Sequence, residues 1–274
     1  MNKERLFSST IMILLIVGAI FNKWTFIFVQ MALTLGGLYE FFYLIKKKGI
    51  PIYSYTGIAI GILIPLSIFM SFEPTKRWEL SFIVLVLVMV FLMQFTRKDN
   101  TNAIVGISTT LFGVLYVSWL FSFLIKIRYL LPGFEGVKLL GFILLITKCG
   151  DIGALLIGSK FGRNPLLPRI SPNKTIEGSI GSFGFSMLAA FLAQSFLPQG
   201  IFSTMQILLM GAFFGGLGQL GDLSESLIKR DCNVKDSGKL MPGMGGVLDI
   251  IDSLLFSAPA FYLYMSSTLD LIRP

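Results

Sequence analysis

The sequence predicts an all-α, polytopic integral membrane protein with about nine transmembrane helices. Three observations carry that reading. Of 274 residues, 54% are hydrophobic and only 14% charged, against about 25% charged in soluble domains. Mean hydropathy is +0.77. The apolar residues also fall in runs near the roughly 20 that a helix needs to cross the hydrocarbon core.

The runs lie at about 6–21, 24–45, 55–72, 78–95, 103–125, 137–160, 176–196, 203–227 and 247–266. The first has the outline of a signal peptide. Asn22, Lys23 and Trp24 stand where a small-residue cleavage site would fall, so it is expected to remain as the first span. Spans one to five are nearly uniform in Leu, Ile, Val and Phe and read as a hydrophobic scaffold, 1–135. Glu40 stands well inside one of them; a place near the interface, before Lys46, Lys47 and Lys48, is preferred to a place in a site. The other four spans make a second region, 136–274, with loops at 161–175 and 228–246. The N-terminus and the loops after even-numbered spans carry about twice as many Lys and Arg as the opposite side, so they are expected in the cytoplasm, with the chain in the inner (cytoplasmic) membrane. The net charge of +8 then reads as loop charge, and no nucleic-acid-binding module is visible.

Histidine is absent. That excludes Ser–His triads, His-containing zinc sites and His-based acid–base chemistry. The two cysteines, Cys149 and Cys232, have no metal-ligand spacing, and no disulfide is expected between them. Carboxylates, Lys, Arg, hydroxyls, backbone groups and hard metals remain.

These groups concentrate from Lys148 onward. Lys148 and Asp151 are three apart in the sixth span and can pair, as a buried structural ion pair or in contact with a ligand. In the next loop Ser171 or Asn173 is expected to cap the helix starting near Thr175, with Glu177 in its first turn. Arg163, Arg169, Lys174 and Thr175 gather beside that helix N-terminus, a favoured place for phosphate. Gly211, Gly215, Gly216, Gly218 and Gly221 in the eighth span fit close helix packing. At its end Asp222, Glu225, Ser226 and Lys229 fall on one helix face, as do Asp249 and Asp252 in the ninth span. Gly243, Gly245 and Gly246 can offer backbone N–H groups to an anion.

Carboxylates inside apolar helices are expensive, which makes function the default reading. Magnesium takes carboxylate oxygens together with waters and phosphate oxygens, and Asp222 and Asp249 could each supply one oxygen. Lys and Arg from both loops would neutralise a polyphosphate. Transfer at phosphorus needs mainly in-line positioning and charge neutralisation. A phosphate monoester nucleophile is already anionic, so no histidine base is required. An ion-coupled transporter using Lys148, Asp151, Asp222 and Asp249 as a relay is the competing class. Clustering of the charges at one end of the last two spans favours an enzyme.

The run Ser226-Leu-Ile-Lys229-Arg230, four residues, Lys235-Asp236-Ser237-Gly238, then Pro242-Gly-Met-Gly-Gly-Val-Leu-Asp249-Ile-Ile-Asp252 resembles the signature of phosphatidate cytidylyltransferases, the CDP-diacylglycerol synthases. Gly221-Asp222-Leu223, Asp151-Ile-Gly-Ala154 and Ser171-Pro-Asn-Lys-Thr-Ile-Glu-Gly178 match the same pattern, so the resemblance covers about 148–258. It departs at Met244, where the family usually has His, and at Ile250, where it usually has Arg. The resemblance implies that CTP and phosphatidate give CDP-diacylglycerol and pyrophosphate with Mg²⁺ or another divalent cation, and leaves open whether a monovalent cation takes part. It implies Asp222 and Asp249 as metal ligands, with Glu225 and Asp252 as additional or supporting groups. Lys229, Arg230, Lys235 and Lys239 would contact nucleotide or lipid phosphate. Ser171, Lys174, Thr175 and Glu177 would line the opposite wall, and Asp151, Ser226, Gly245 and Gly246 are counted with the substrate-binding residues. It also implies a homodimer in the lipid bilayer. A CTP-dependent polyprenol kinase, with the same nucleotide logic and another lipid acceptor, is the closer rival.

Overall fold

The structure is a computed structural model that describes residues 18–70, 78–98, 100–238 and 245–272. The apolar runs form helices, joined by one short hairpin, and the chain divides into two units. One holds Met1–Ile125 with Cys232–Ile251; the other holds Lys126–Asp231 with Asp252–Pro274.

In the first unit, α1 (Lys23–Lys47) starts at Asn22, whose side-chain oxygen accepts the N–H groups of Trp24 and Thr25, and ends on Lys46 and Lys47. Donors at a helix start lack intrahelical partners, so an Asn there stabilises the turn. The next helices are α2 (Ser54–Phe69) and α3 (Trp78–Phe95). A continuous rod, Ala103–Leu130, follows as α4 (Ala103–Gly113), a π turn (Val114–Trp119) and α5 (Leu120–Leu130). Polar side chains cross-tie these apolar helices. Gln30 Nε2 donates to the Phe121 carbonyl at 2.9 Å, and Ser118 at the π turn donates to the Gly61 carbonyl. Around them Leu38, Phe41, Phe42, Val114 and Val117 are fully or almost fully buried.

The second unit contains α6 (Phe134–Phe161), the strands β1 (Pro165–Leu167) and β2 (Ser171–Thr175), α7 (Ile176–Leu192), α8 (Thr204–Asp231) and most of α9 (Leu248–Ile272). Its helices meet through small residues. A Cβ on Gly211 of α8 would lie 2.7 Å from the Ser186 carbonyl and 2.9 Å from Ala190 Cβ of α7. Gly221 sits directly against the Asp252 carbonyl of α9. Phe142, Phe214 and Phe261 interlock at ring separations of 5.9 and 5.2 Å in the buried core between α6, α8 and α9.

Eight of the nine expected spans appear as helices near their expected bounds. Of the first, residues 18–21 are helical and 1–17 lie outside the described residues. Five helices are long and apolar enough to cross a membrane: α1, the Ala103–Leu130 rod, α6, α8 and α9. Ser54–Phe69, Ser81–Phe95 and Ile176–Leu192 are apolar but shorter. An all-α membrane protein therefore stands, and five helices among the described residues meet that length and hydropathy.

Two local expectations are corrected. The 161–175 loop is an antiparallel hairpin, with Leu167 opposite Ser171 and Pro165 opposite Thr175. Ser171 and Asn173 lie in its second strand, so neither caps α7; Thr175 does, its hydroxyl accepting the Gly178 N–H at 3.1 Å. Helix α8 also continues to Asp231, because Ser-Leu-Ile-Lys-Arg contains no breaker, so Lys229 and Arg230 are helical rather than part of a loop. Replacing Gly211 by Leu should force α7 and α8 apart. A loss of about 1–3 kcal/mol is expected for such overpacking, visible as earlier thermal unfolding in detergent; unchanged unfolding would contradict this crossing.

Candidate active site

In the second unit the ionisable residues of three helices and one strand collect around Lys148. Its ammonium donates to Asp151 Oδ2 one turn along α6 at 3.2 Å and to Ser253 Oγ of α9 at 2.8 Å. Ser253 in turn donates to Asp151 Oδ2 at 3.2 Å. Asp252 is buried and lies within electrostatic reach of Asp222, Lys148 and Asp151. Glycines make the arrangement possible, since Gly221 lets α8 meet the α9 backbone at Asp252 and presents Asp222 beside it. Asp222 is ion-paired at 2.5 Å with Lys174, the penultimate residue of β2. Three carboxylates thus share two ammonium groups, and Asp222 and Asp151 remain about one-third exposed.

One turn further along α8 the pattern becomes closed. Glu225 is fully buried and paired with Lys229, itself 8% exposed, and Ser226 is buried beside them. The face predicted from the i, i+3, i+4, i+7 spacing is therefore real, and it grades from half-open at Asp222 to sealed at Lys229. Arg230 is exposed and its Nε donates to the Ile170 carbonyl at 3.0 Å, tying α8 to the hairpin turn. Glu177, in the first turn of α7, accepts the backbone N–H groups of Arg163 and Asn164 and the Asn164 side-chain amide. Its carboxylate therefore fixes the loop that leads into the hairpin.

Asp249 belongs to the first unit. Its Oδ2 accepts three hydrogen bonds: from the Ser237 hydroxyl at 2.7 Å, the Ser237 N–H at 3.0 Å and the Gly246 N–H at 2.7 Å. The Gly246 N–H, expected to face an anion, is thus directed at Asp249. Gly245 adopts φ +94°, and an added Cβ would lie 2.5 Å from Asp249 Oδ2, so glycine is required twice over. Lys235 and Asp236 are exposed. Lys239, Gly243 and Met244 lie outside the described residues. Ile250, the other departure from the family pattern, is buried at 6% exposure. Ser253 is not singled out by the sequence because a serine carries no charge signal; Ser237 enters only within the family run, and Glu40 reads as interfacial because its partners are distant in sequence.

Among the described residues no group of three or more Cys, Asp or Glu side chains is arranged to hold a metal ion. The carboxylate arrangement is an open one, shared with ammonium groups. It fits the mode in which magnesium takes one or two carboxylates and fills its other positions with water and phosphate oxygens. The half-exposed Asp222 carboxylate suits that mode, with Lys174 beside it.

A partly exposed cluster of carboxylates and ammonium groups among apolar helices defines a membrane protein with a candidate polar site. The chain belongs to the cytidylyltransferase family, whose sequence model matches residues 3–268. It is 33% identical to the phosphatidate cytidylyltransferase of Synechocystis over 86% of this chain and 87% of that protein. It is 32% identical to the phosphatidate cytidylyltransferase of Bacillus subtilis over 84% of this chain and 86% of that protein. It is 44% identical to the uncharacterized protein YnbB of Escherichia coli, over 47% of this chain and 43% of that protein's length.

Removing the Lys229 ammonium would leave Glu225 charged in a sealed site. Lys229→Met should cost about 3–5 kcal/mol, as expected for one partner of a buried pair, whereas Glu225→Gln with Lys229→Met should recover much of it. Thermal unfolding of the single and double variants reads this; equal losses in both would contradict a paired role.

Proposed function

We propose that this chain is a magnesium-dependent phosphatidate cytidylyltransferase, converting CTP and phosphatidate to CDP-diacylglycerol and pyrophosphate. The observation that carries the reading is the Lys148, Asp151, Asp222, Asp252 and Lys174 cluster, drawn from within α6 and α8, the start of α9 and strand β2, in a chain of this family. The names of its relatives favour phosphatidate over a polyprenol as acceptor and give no support to a transporter.

In the reaction a phosphatidate oxygen forms a bond to the α-phosphorus of CTP, and the bond from that phosphorus to the bridging oxygen breaks. Pyrophosphate leaves with the electron pair. Phosphatidate is already an anion, so the protein needs to position and neutralise rather than deprotonate. Lys174 is assigned to an arriving phosphate: its side chain is partly exposed, and its ammonium, buried against the partly exposed Asp222, would pass from that carboxylate to the phosphate. Lys148 stays between Asp151 and Ser253 and holds the acids together in the absence of ligand. Arg230, Lys235 and Lys239 supply further positive charge for phosphate. The divalent cation is assigned to Asp222 and Asp249, and when bound it would neutralise charge developing on the phosphate oxygens; Glu225, expected as an additional ligand, is sealed against Lys229 and is left out of that set.

The same reading includes nine spans with a cytoplasmic N-terminus, cytoplasmic loops at 161–175 and 228–246, a scaffold over 1–135, a catalytic region over 136–274, and a homodimer. It is tested with purified protein, Mg²⁺, CTP and either phosphatidate or a polyprenol. Phosphatidate should yield CDP-diacylglycerol and pyrophosphate, while phosphorylation of the polyprenol alone would overturn the assignment. Asp222→Asn and Asp249→Asn should each lower kcat by about 100- to 1000-fold, the scale for losing a group that stabilises charge in the transition state. Near-normal turnover in folded variants would remove them from the site.

A further inference from the structure

The least expected carboxylate in the molecule is Glu40. It stands in the last third of α1 between Tyr39 and Phe41, and is 3% exposed. A buried carboxylate is costly unless hydrogen-bonded, and an apolar residue would pack at this place in an apolar helix without that cost. Its Oε2 accepts the Leu248 N–H at 2.9 Å and lies 2.9 Å from the Ser237 hydroxyl, whose one proton it shares with Asp249 Oδ2, across 208 and 197 residues of sequence. Among the described residues its Oε1 has no hydrogen-bond partner. A buried group that is costly and only half satisfied calls for an explanation beyond packing.

The geometry around α9 supplies one. The first N–H groups of a helix need acceptors from outside it. The residue before α9 is Val247, whose side chain has none. Glu40 takes that part from another helix, holding the Leu248 N–H. Through the Ser237 hydroxyl it also touches the group that bonds Asp249 Oδ2 at 2.7 Å. The approach is kept open by glycines. Gly246 sits directly against both Glu40 oxygens and Ser237 Oγ, and a Cβ on Gly238 would lie 2.8 Å from Glu40 Cδ. Gly36 and Gly37 bring α1 itself close, so that added Cβ atoms would lie 2.8 Å from Val247 Cγ2 and 3.1 Å from Ile251 Cδ1.

We propose that Glu40 is a positioning residue for the cytidylyl-transfer site: from α1 it caps α9 and, through Ser237, fixes the orientation of Asp249. This rests on the reading of Asp249 as a group that acts on the divalent cation and nucleotide. Glu40 itself touches neither substrate. Its part is to hold the Ser237–Gly246–Asp249 arrangement in one geometry before substrate arrives.

The test has an arm that does not depend on turnover. Hydrogen exchange in detergent should show Ser237, Gly246 and Leu248 amides protected in the full-length protein. Glu40→Ala should raise their exchange while leaving α6 and α7 protected, and Glu40→Gln, which keeps one carbonyl acceptor, should fall between. Unchanged exchange in Glu40→Ala would overturn the proposal, whatever reaction the protein catalyses. In the kinetic arm Glu40→Ala should lower kcat by about 10- to 100-fold, the usual scale for residues that orient a metal-binding group, with the KM for phosphatidate unchanged. In an Asp249→Asn background the same change should cause no further loss. Multiplying losses in the double variant, or a drop confined to the folded fraction and shared equally by Glu40→Gln, would mean a purely structural residue. Failure of the unmodified protein to make CDP-diacylglycerol would refute the functional reading and leave the exchange arm to decide the latch.

Discussion

A charge inside an apolar helix must find a partner, and this constraint orders the molecule. The bilayer offers no water to solvate an isolated carboxylate or ammonium, so each is held by an opposite charge or a hydrogen bond. In the second unit Lys148 is bound by Asp151 and Ser253, Asp222 by Lys174, and Glu225 by Lys229. In the first, Asp249 and Glu40 are bound through Ser237 and the N–H groups around the start of α9. The helices must approach closely for these partners to meet, which is why glycine recurs where they cross.

The graded burial along α8 separates two kinds of acid. Glu225 is sealed with Lys229, and such a pair holds the helix in register without meeting a ligand. Asp222 and Asp151 are partly open, each with an ammonium partner beside it. Magnesium in its usual protein setting needs only one or two carboxylates and fills the rest of its shell with water and phosphate oxygens. An open Asp222 beside Lys174 is therefore better suited to a nucleotide than a dense acidic cage would be. Ile250, replacing the family's arginine, is buried, so at this position the chain has apolar packing rather than a cation.

Much of this was legible in the sequence. Long apolar runs gave helix positions to within a few residues, since length and hydropathy dominate in lipid. The Asp222–Lys229 spacing gave a true helix face, and the Lys148–Asp151 spacing a true pair. Less legible was anything set by tertiary partners. Nothing local distinguishes Ser253 or Ser237 from other serines, and the capping role of Thr175 was hidden by two better capping residues just upstream. Glu40 was read as an interfacial residue because its partners lie about 200 residues away. The hairpin at Pro165–Thr175 was missed because its strands are only three and five residues long, too short for an alternating pattern.

The central claim is that these paired charges serve transfer of a cytidylyl group to a lipid phosphate. The most direct measurement follows the label from CTP carrying ³²P at either the α or the γ position, with phosphatidate as acceptor. Label from the α position should enter the lipid and label from the γ position should leave entirely as pyrophosphate. Lipid labelled from the γ position, or from neither, would contradict the account.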